Sequence, residues 1–176
     1  MKEEVHIPKG SHTVNALIAT EDSRSLIYFL EQVFDAQEDK NALAKSESDG
    51  KTFNSKITIG DTSMIIFDRK VGWKHTPSLL QVYVNNIDGK LKKAKSHGAT
   101  TVTSPTNFYG GKLARFIDPQ GNLWWMFELV DYNESDWEAA DEAEDESSTW
   151  SLGSDPDMTY IHDSLVEAMK KLSEYS

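Results

Sequence analysis

Two stretches of this chain follow one plan about 60 residues apart, and a doubled plan admits few folds. In the first, His12 to Thr20 alternates as a strand does, and Asp22 sits where a helix N-cap belongs. Leu26, Ile27, Leu30, Val33 and Phe34 then recur at helical spacing, and Asp35-Ala36 ends the run. Residues 37–50 are polar and close on Asp49-Gly50, a hairpin-turn signal. Strands at Thr52 to Ile59 and Thr62 to Asp68 flank Gly60-Asp61, and a linker runs from Arg69 to Pro77.

The second copy begins with a strand at Leu79 to Val84, an N-cap at Asn86 and a helix stripe of Ile87, Leu91 and Ala94. Gly98 supplies the left-handed stop, and a strand at Thr100 to Thr103 follows. Residues 105–130, PTNFYGGKLARFIDPQGNLWWMFELV, then read as a hairpin. Asp118-Pro119-Gln120-Gly121 is a tight turn, and Leu123 to Val130 is a buried strand without a breaker. Asp22 thus corresponds to Asn86, and Met64–Asp68 to Trp124–Glu128. Each copy reads β-α-β-β-β, which makes the fold α+β.

Charge bears on partners only after it is located. The chain of 176 residues carries a net charge of -11, but residues 131–147 hold nine acidic groups and no basic one. The remainder has 18 basic against 20 acidic residues and is nearly neutral. An acidic block beside a neutral body offers no basic face for phosphates, so nucleic acid is not expected. No apolar run approaches the ~20 residues of a membrane helix, and the start, MKEEVHIPKGSH, lacks a secretion signal. Cytoplasm and no membrane partner are the expectation. The chain has no cysteine, which removes thiolate metal sites and thiol nucleophiles.

The divisions expected are a flexible arm at 1–11, a domain at 12–130 (modules 12–68 and 79–130), an acidic linker at 131–149 and a helical extension at 150–176. In the extension Asp155 caps, Pro156 takes the first helical position, and Met158, Ile161, Leu165, Met169 and Leu172 form a stripe. An isolated helix of this length is marginal in water, so the stripe must dock on its own domain or on a second subunit.

The segments VNALIATED with LIYFLEQVFDA, QVYVNNIDGKLKKAKSHGATTV, and FYGGKLARFIDPQGNLWWM, in that order, resemble the vicinal oxygen chelate superfamily of glyoxalase I, bleomycin-resistance proteins and extradiol dioxygenases, in particular its PhnB-like branch. The resemblance covers residues 12–130. It implies a curved, barrel-like mixed sheet with a central cleft, and a homodimer in which the C-terminal helix is one candidate contact. In metal-dependent members four side chains hold a divalent ion, and motif by motif those positions become Asn15, Ile65, Leu79 and Trp125. Leucine, isoleucine and tryptophan offer no donor to such an ion, and asparagine one weak carbonyl. The expectation is therefore no metal and no cofactor.

Strand alternation then assigns a ligand-facing set: Asn15, Leu17, Ile65, Phe67, Leu79, Gln81, Tyr83, Leu123, Trp125 and Phe127, with Tyr109 near the mouth and Arg115 on the strand before the turn. Trp125 fits a core as well as a pocket wall, Tyr109 and Arg115 fit structural roles, and Asn15 and Gln81 fit sheet hydrogen bonds. The five histidines are scattered, and no nucleophile elbow, P-loop or dinucleotide fingerprint is present. Three functions remain: a metal-free binder of a small, partly aromatic or amphipathic molecule; a metal-dependent lyase, isomerase or dioxygenase; and an assembly domain.

Overall fold

The computed structural model describes residues 6–7, 10–129 and 155–174. The expected acidic linker lies outside these residues, as does most of the expected N-terminal arm. The chain divides into residues 1–78 and 79–176. Each unit carries one four-stranded mixed sheet, so the fold is α+β as expected, with no closed barrel among the described residues.

The first unit runs β1 (Ala16–Thr20), α1 (Ser23–Phe34), β2 (Gln37–Lys45), β3 (Thr52–Ile59) and β4 (Thr62–Asp68), with sheet order β1-β4-β3-β2. β1 is parallel to β4 and the other pairs are antiparallel. The first strand begins at Ala16, where alternation predicted His12. The cause is local: the Asn15 side chain bonds both backbone groups of His12, at 3.0 and 2.7 Å, and bends the chain out of the ladder. The polar segment 37–50 supplies β2, whose mostly exposed side chains explain its lack of an apolar pattern.

The expected N-cap forms. Asp22 accepts from the Ser25 backbone N–H at 2.9 Å, and Asp35 in the left-handed region ends α1. All five residues of the expected stripe are buried, against Ile18, Ile57, Met64 and Ile66 of the sheet. At about 1.5–3 kcal/mol for each fully buried aliphatic side chain, this seam is what holds α1 to its sheet.

The second unit runs β5 (Leu79–Tyr83), α2 (Ile87–Ser96), β6 (Thr100–Phe108), β7 (Gly111–Ile117), β8 (Leu123–Leu129) and α3 (Pro156–Glu174), with sheet order β5-β8-β7-β6. β6 continues past the expected end at Thr103 to Phe108, and its pairing with β7 shifts on either side of Thr103, which accommodates Pro105. Tyr109 and Gly110 join β6 to β7, both at positive φ (40° and 75°), as a type I′ hairpin requires. Gly111 must be glycine for another reason, since a Cβ there would collide with the Glu128 carbonyl.

The Asp118 turn is densely bonded. Its carboxylate is buried and accepts from Gln120 N (2.8 Å), Asn122 N (3.0 Å), Asn122 Nδ2 (2.9 Å) and Trp124 Nε1 (2.8 Å). Burial raises its pKa, and the hydrogen bonds oppose that shift only in part.

The helix α3 docks on its own unit, against β6. Among its described side chains Ile161, Ala168 and Leu172 are buried, while Met169, expected in the stripe, is 40% exposed. The seam passes through the small Ala168 because Met169 is turned toward solvent.

Candidate functional site

Pairing and alternation sort each sheet into two faces. In the first unit one face takes α1. The other presents Leu17, Ile65 and Phe67, which line a cleft of about 560 Å³ together with Phe53, Asn54, Lys51, Asp49 and Trp73. Leu17 is 58% exposed, Phe53 66% and Trp73 50%, a concentration of apolar surface that water contacts directly.

The cleft is built by ordinary backbone satisfaction. The Asp68 carboxylate accepts from Ser23 N at 2.7 Å and Thr52 N at 2.6 Å, tying β4 to the start of α1 and to β3. Lys51 donates to the Arg69 carbonyl at 3.3 Å, and Arg69 donates to the Trp73 carbonyl at 3.2 Å. These bonds hold the linker so that Trp73 meets Phe67 edge to face, with ring centroids 6.3 Å apart. Asn15 does not line this cleft: its amide is engaged with His12.

Alternation could not find Phe53. The ladder between β3 and β4 starts only at Ser55, and the β2–β3 register shifts around Ala44 and Lys45, so residues 52–54 leave the regular pattern. Trp73 lay in a segment read as linker. A tryptophan and a valine between Arg69 and Pro77 were the only sign that this linker has apolar work to do.

In the second unit α2 covers one face, and Glu128 on that face accepts from Ile87 N at 2.9 Å. On the other face Leu79, Gln81 and Tyr83 are exposed, Trp125 and Phe127 are half-buried and Leu123 is buried. Trp125 and Phe127 stack with centroids 5.8 Å apart, and Tyr83 and Phe108 lie 5.8 and 5.4 Å from Phe127. Gln81 Nε2 donates to the Tyr83 hydroxyl at 3.1 Å, a bond between two exposed side chains of one strand.

Arg115 is the residue whose surroundings the sequence could not foretell. It pairs with Trp125 across the β7–β8 ladder, and its guanidinium carbon lies 3.7 Å from the Trp125 ring centroid. It is 1% exposed, because α3 lies over it. Its Nη1 donates to the Ile161 carbonyl at 2.6 Å and to Thr103 Oγ1 at 3.3 Å. Burial lowers its pKa to about 10. The buried Arg115 Nε and Trp125 Nε1 have no hydrogen-bond partner among the described residues. Tyr109 sits apart, at the hairpin tip, beside a hollow of about 460 Å³ that also touches Asp155, Asp157 and Met158 at the start of α3.

The ion that the resemblance implies does not fit the residues at its positions. Ile65 and Leu79 carry no donor atom, the Trp125 indole N–H cannot accept, and Asn15 spends its amide on His12. Among the described residues no three His, Asp or Glu side chains converge. No described helix is long and apolar enough to cross a membrane.

The family model for the Glyoxalase/Bleomycin resistance protein/Dioxygenase superfamily matches residues 11–126. Among curated proteins none matches the sequence significantly. Solved structures with similar folds include TioX from Micromonospora sp. ML1, 18% identical with a TM-score of 0.51, the match covering 70% of this chain and 99% of that one. A glyoxalase/bleomycin resistance protein/dioxygenase family enzyme from Burkholderia phytofirmans PsJN is 19% identical (TM-score 0.53, 66% and 97% covered). The fosfomycin resistance protein FosX from Listeria monocytogenes is 14% identical (TM-score 0.55, 68% and 94% covered). At these identities the likeness is one of fold.

Proposed function

The chain belongs to the glyoxalase/bleomycin resistance protein/dioxygenase superfamily, and on that premise we propose that it binds a small, partly aromatic or amphipathic molecule without a metal ion, to sequester or sense it as bleomycin-resistance proteins do. The observation that carries this reading is the cleft of the first unit. Its volume of about 560 Å³ falls within the roughly 300–1,000 Å³ of small-molecule sites. Its walls are Leu17, Phe53, Ile65, Phe67 and Trp73, with Asn54, Asp49 and Lys51 as the polar groups that orient a ligand.

The chemistry here is recognition. Flat apolar parts of a ligand would stack on Phe67 and Trp73, and a polar end would meet the rim. The donor set at the family's ion positions argues against Lewis-acid activation of a substrate and supports recognition instead.

A thermal-shift screen of aromatic and amphipathic small molecules on the full chain, followed by calorimetry, tests the proposal. A true ligand at 100 times its Kd adds about 2.7 kcal/mol of stability. Phe67→Ala should weaken that ligand about 10- to 100-fold. A ligand indifferent to both Phe67→Ala and Trp73→Ala overturns the proposal, and so does a screen without any ligand. Stoichiometric zinc, nickel, iron or manganese in the purified protein would favour the metal-dependent alternative.

A further inference from the structure

We propose that α3 is a displaceable cover over a second binding site, a platform of Arg115 and Trp125 that takes a flat aromatic carboxylate once the helix lifts. This inference does not depend on the cleft of the first unit.

Arg115 is a buried cation with no carboxylate partner among the described residues. Burying a guanidinium costs several kcal/mol unless an anion or a full set of acceptors compensates. Here the compensation is one carbonyl at 2.6 Å, one hydroxyl at 3.3 Å and the Trp125 ring face at 3.7 Å, and both Arg115 Nε and Trp125 Nε1 are left without a bond among the described residues. A carboxylate over this pair would supply what the helix does not. It brings two oxygens to a planar fork that favours such anions, and an attached ring could stack on the Trp125–Phe127 pair, whose planes lie 16° apart.

The attachment of α3 is suited to release. Only Ile161, Ala168 and Leu172 of its described side chains are buried. Beside the Arg115 bond to the Ile161 carbonyl, which a carboxylate would replace, the helix is held by hydroxyl bonds, Thr103 Oγ1 with Ser164 Oγ at 2.7 Å and Ser104 N–H to the Tyr160 hydroxyl at 2.9 Å, which water can replace at little cost. Leu79, Gln81 and Tyr83 on the same face are already exposed, so a ligand has an open edge from which to enter.

The chain has no cysteine, so a lock can be added cleanly. In the full-length Thr103→Cys/Ser164→Cys variant, oxidation should pin α3 to β6 and reduction should free it. The probes are 2-naphthoate and its neutral counterpart 2-naphthamide, measured by calorimetry. The reduced protein should bind 2-naphthoate at least about tenfold more tightly than the oxidised protein. It should also prefer 2-naphthoate to 2-naphthamide by about the same factor. Arg115→Lys, which keeps the charge and loses the planar fork, should weaken 2-naphthoate in the reduced state. Equal affinity in the two redox states, or no binding in the reduced state, would overturn the proposal. Naphthoate binding that ignores the lock but is lost in Phe67→Ala belongs to the first unit and also counts against it.

Discussion

The two sheets share a plan and differ in what lies on the face away from their first helix. In the first unit no described helix lies on that face, only Trp73 packs on its Phe67, and water reaches Leu17 and Phe53. In the second, α3 lies over β6 and buries Arg115, leaving the β5 side uncovered. Beneath the difference the scaffolding is the same. Asp22 and Asn86 cap equivalent helices, each accepting from a backbone N–H three residues on. At the end of the last strand of each copy, Asp68 and Glu128 accept from the first helical N–H, Ser23 in one and Ile87 in the other. Even the cation is duplicated. Lys56 pairs with Ile65 where Arg115 pairs with Trp125, yet Lys56 is only half-buried. The two units share the parts that satisfy the backbone and differ on the face away from the first helix, which is expected if only that face answers to a ligand.

The largest expected difference between the units lies in their final turns. The first unit turns on Gly60 and Asp61, both exposed, and the second on Asp118 with its four accepted bonds. Asp118→Ala strands buried donors on Asn122 and Trp124, each worth about 1–3 kcal/mol, so a loss of about 3–5 kcal/mol is expected in urea denaturation. Asp61→Ala should change stability by less than about 0.5 kcal/mol. Comparable losses would mean that the two turns are closer in role than their bonding implies.

Next come the carboxylates at the helix starts. Asp68→Asn disturbs two backbone bonds of 2.7 and 2.6 Å and removes a charge from the positive end of α1, for a loss of about 2 kcal/mol. Glu128→Gln disturbs one bond of 2.9 Å, for a loss of about 1 kcal/mol. Amide hydrogen exchange in α1 and α2 reads each effect in its own unit. An equal loss at both sites would break the ranking.

Acid should separate the units by sign. Glu38 is held by a two-pronged bond from Arg24 and by the Ser55 hydroxyl, and the Arg24 bond keeps its pKa below the usual glutamate range. Its contribution is therefore present above the unfolded glutamate pKa and fades as pH falls through the lower folded value. Asp118 is shifted the other way by burial. Its contribution is complete below the unfolded aspartate pKa and is lost as pH rises through the raised folded value. Exchange protection between pH 3 and 6 should thus slope upward with pH for the Glu38 contribution and downward for that of Asp118. Arg24→Gln should flatten only the first slope, and a flat profile in the wild type would remove the distinction.

The parts of this architecture legible in the sequence are those dictated by local chemistry. Caps at Asp22, Asn86 and Asp155, the stripe of α1 and the turn at Asp118 each rest on residues within a few positions of one another. Two kinds of feature were not legible. Phe53 joins the cleft only because the register of β2 and β3 slips near Ala44, a matter of pairing between strands. Arg115 was legible as a strand arginine of the ligand-facing set, but its burial depends on a helix some 46 residues later in the chain. No periodicity within β7 carries that information.

The smallest expected stability effect is also the sharpest test of whether the first face is open for a ligand. By position in the repeat, Leu17 of β1 matches Gln81 of β5, so Leu17→Gln gives the first unit the side chain the second already uses. At 58% exposed, Leu17 has left less than half of its surface away from water, and the exchange should alter unfolding free energy by no more than about 0.5 kcal/mol. A ligand seated in the cleft would cover that leucine, and losing the contact should cost about 1.4 kcal/mol, or tenfold in Kd. A neutral stability with weakened binding fits an open recognition surface. A stability loss of about 2 kcal/mol or more means that Leu17 is packed in the folded protein, and the contrast between a bare face and a covered one would then be lost.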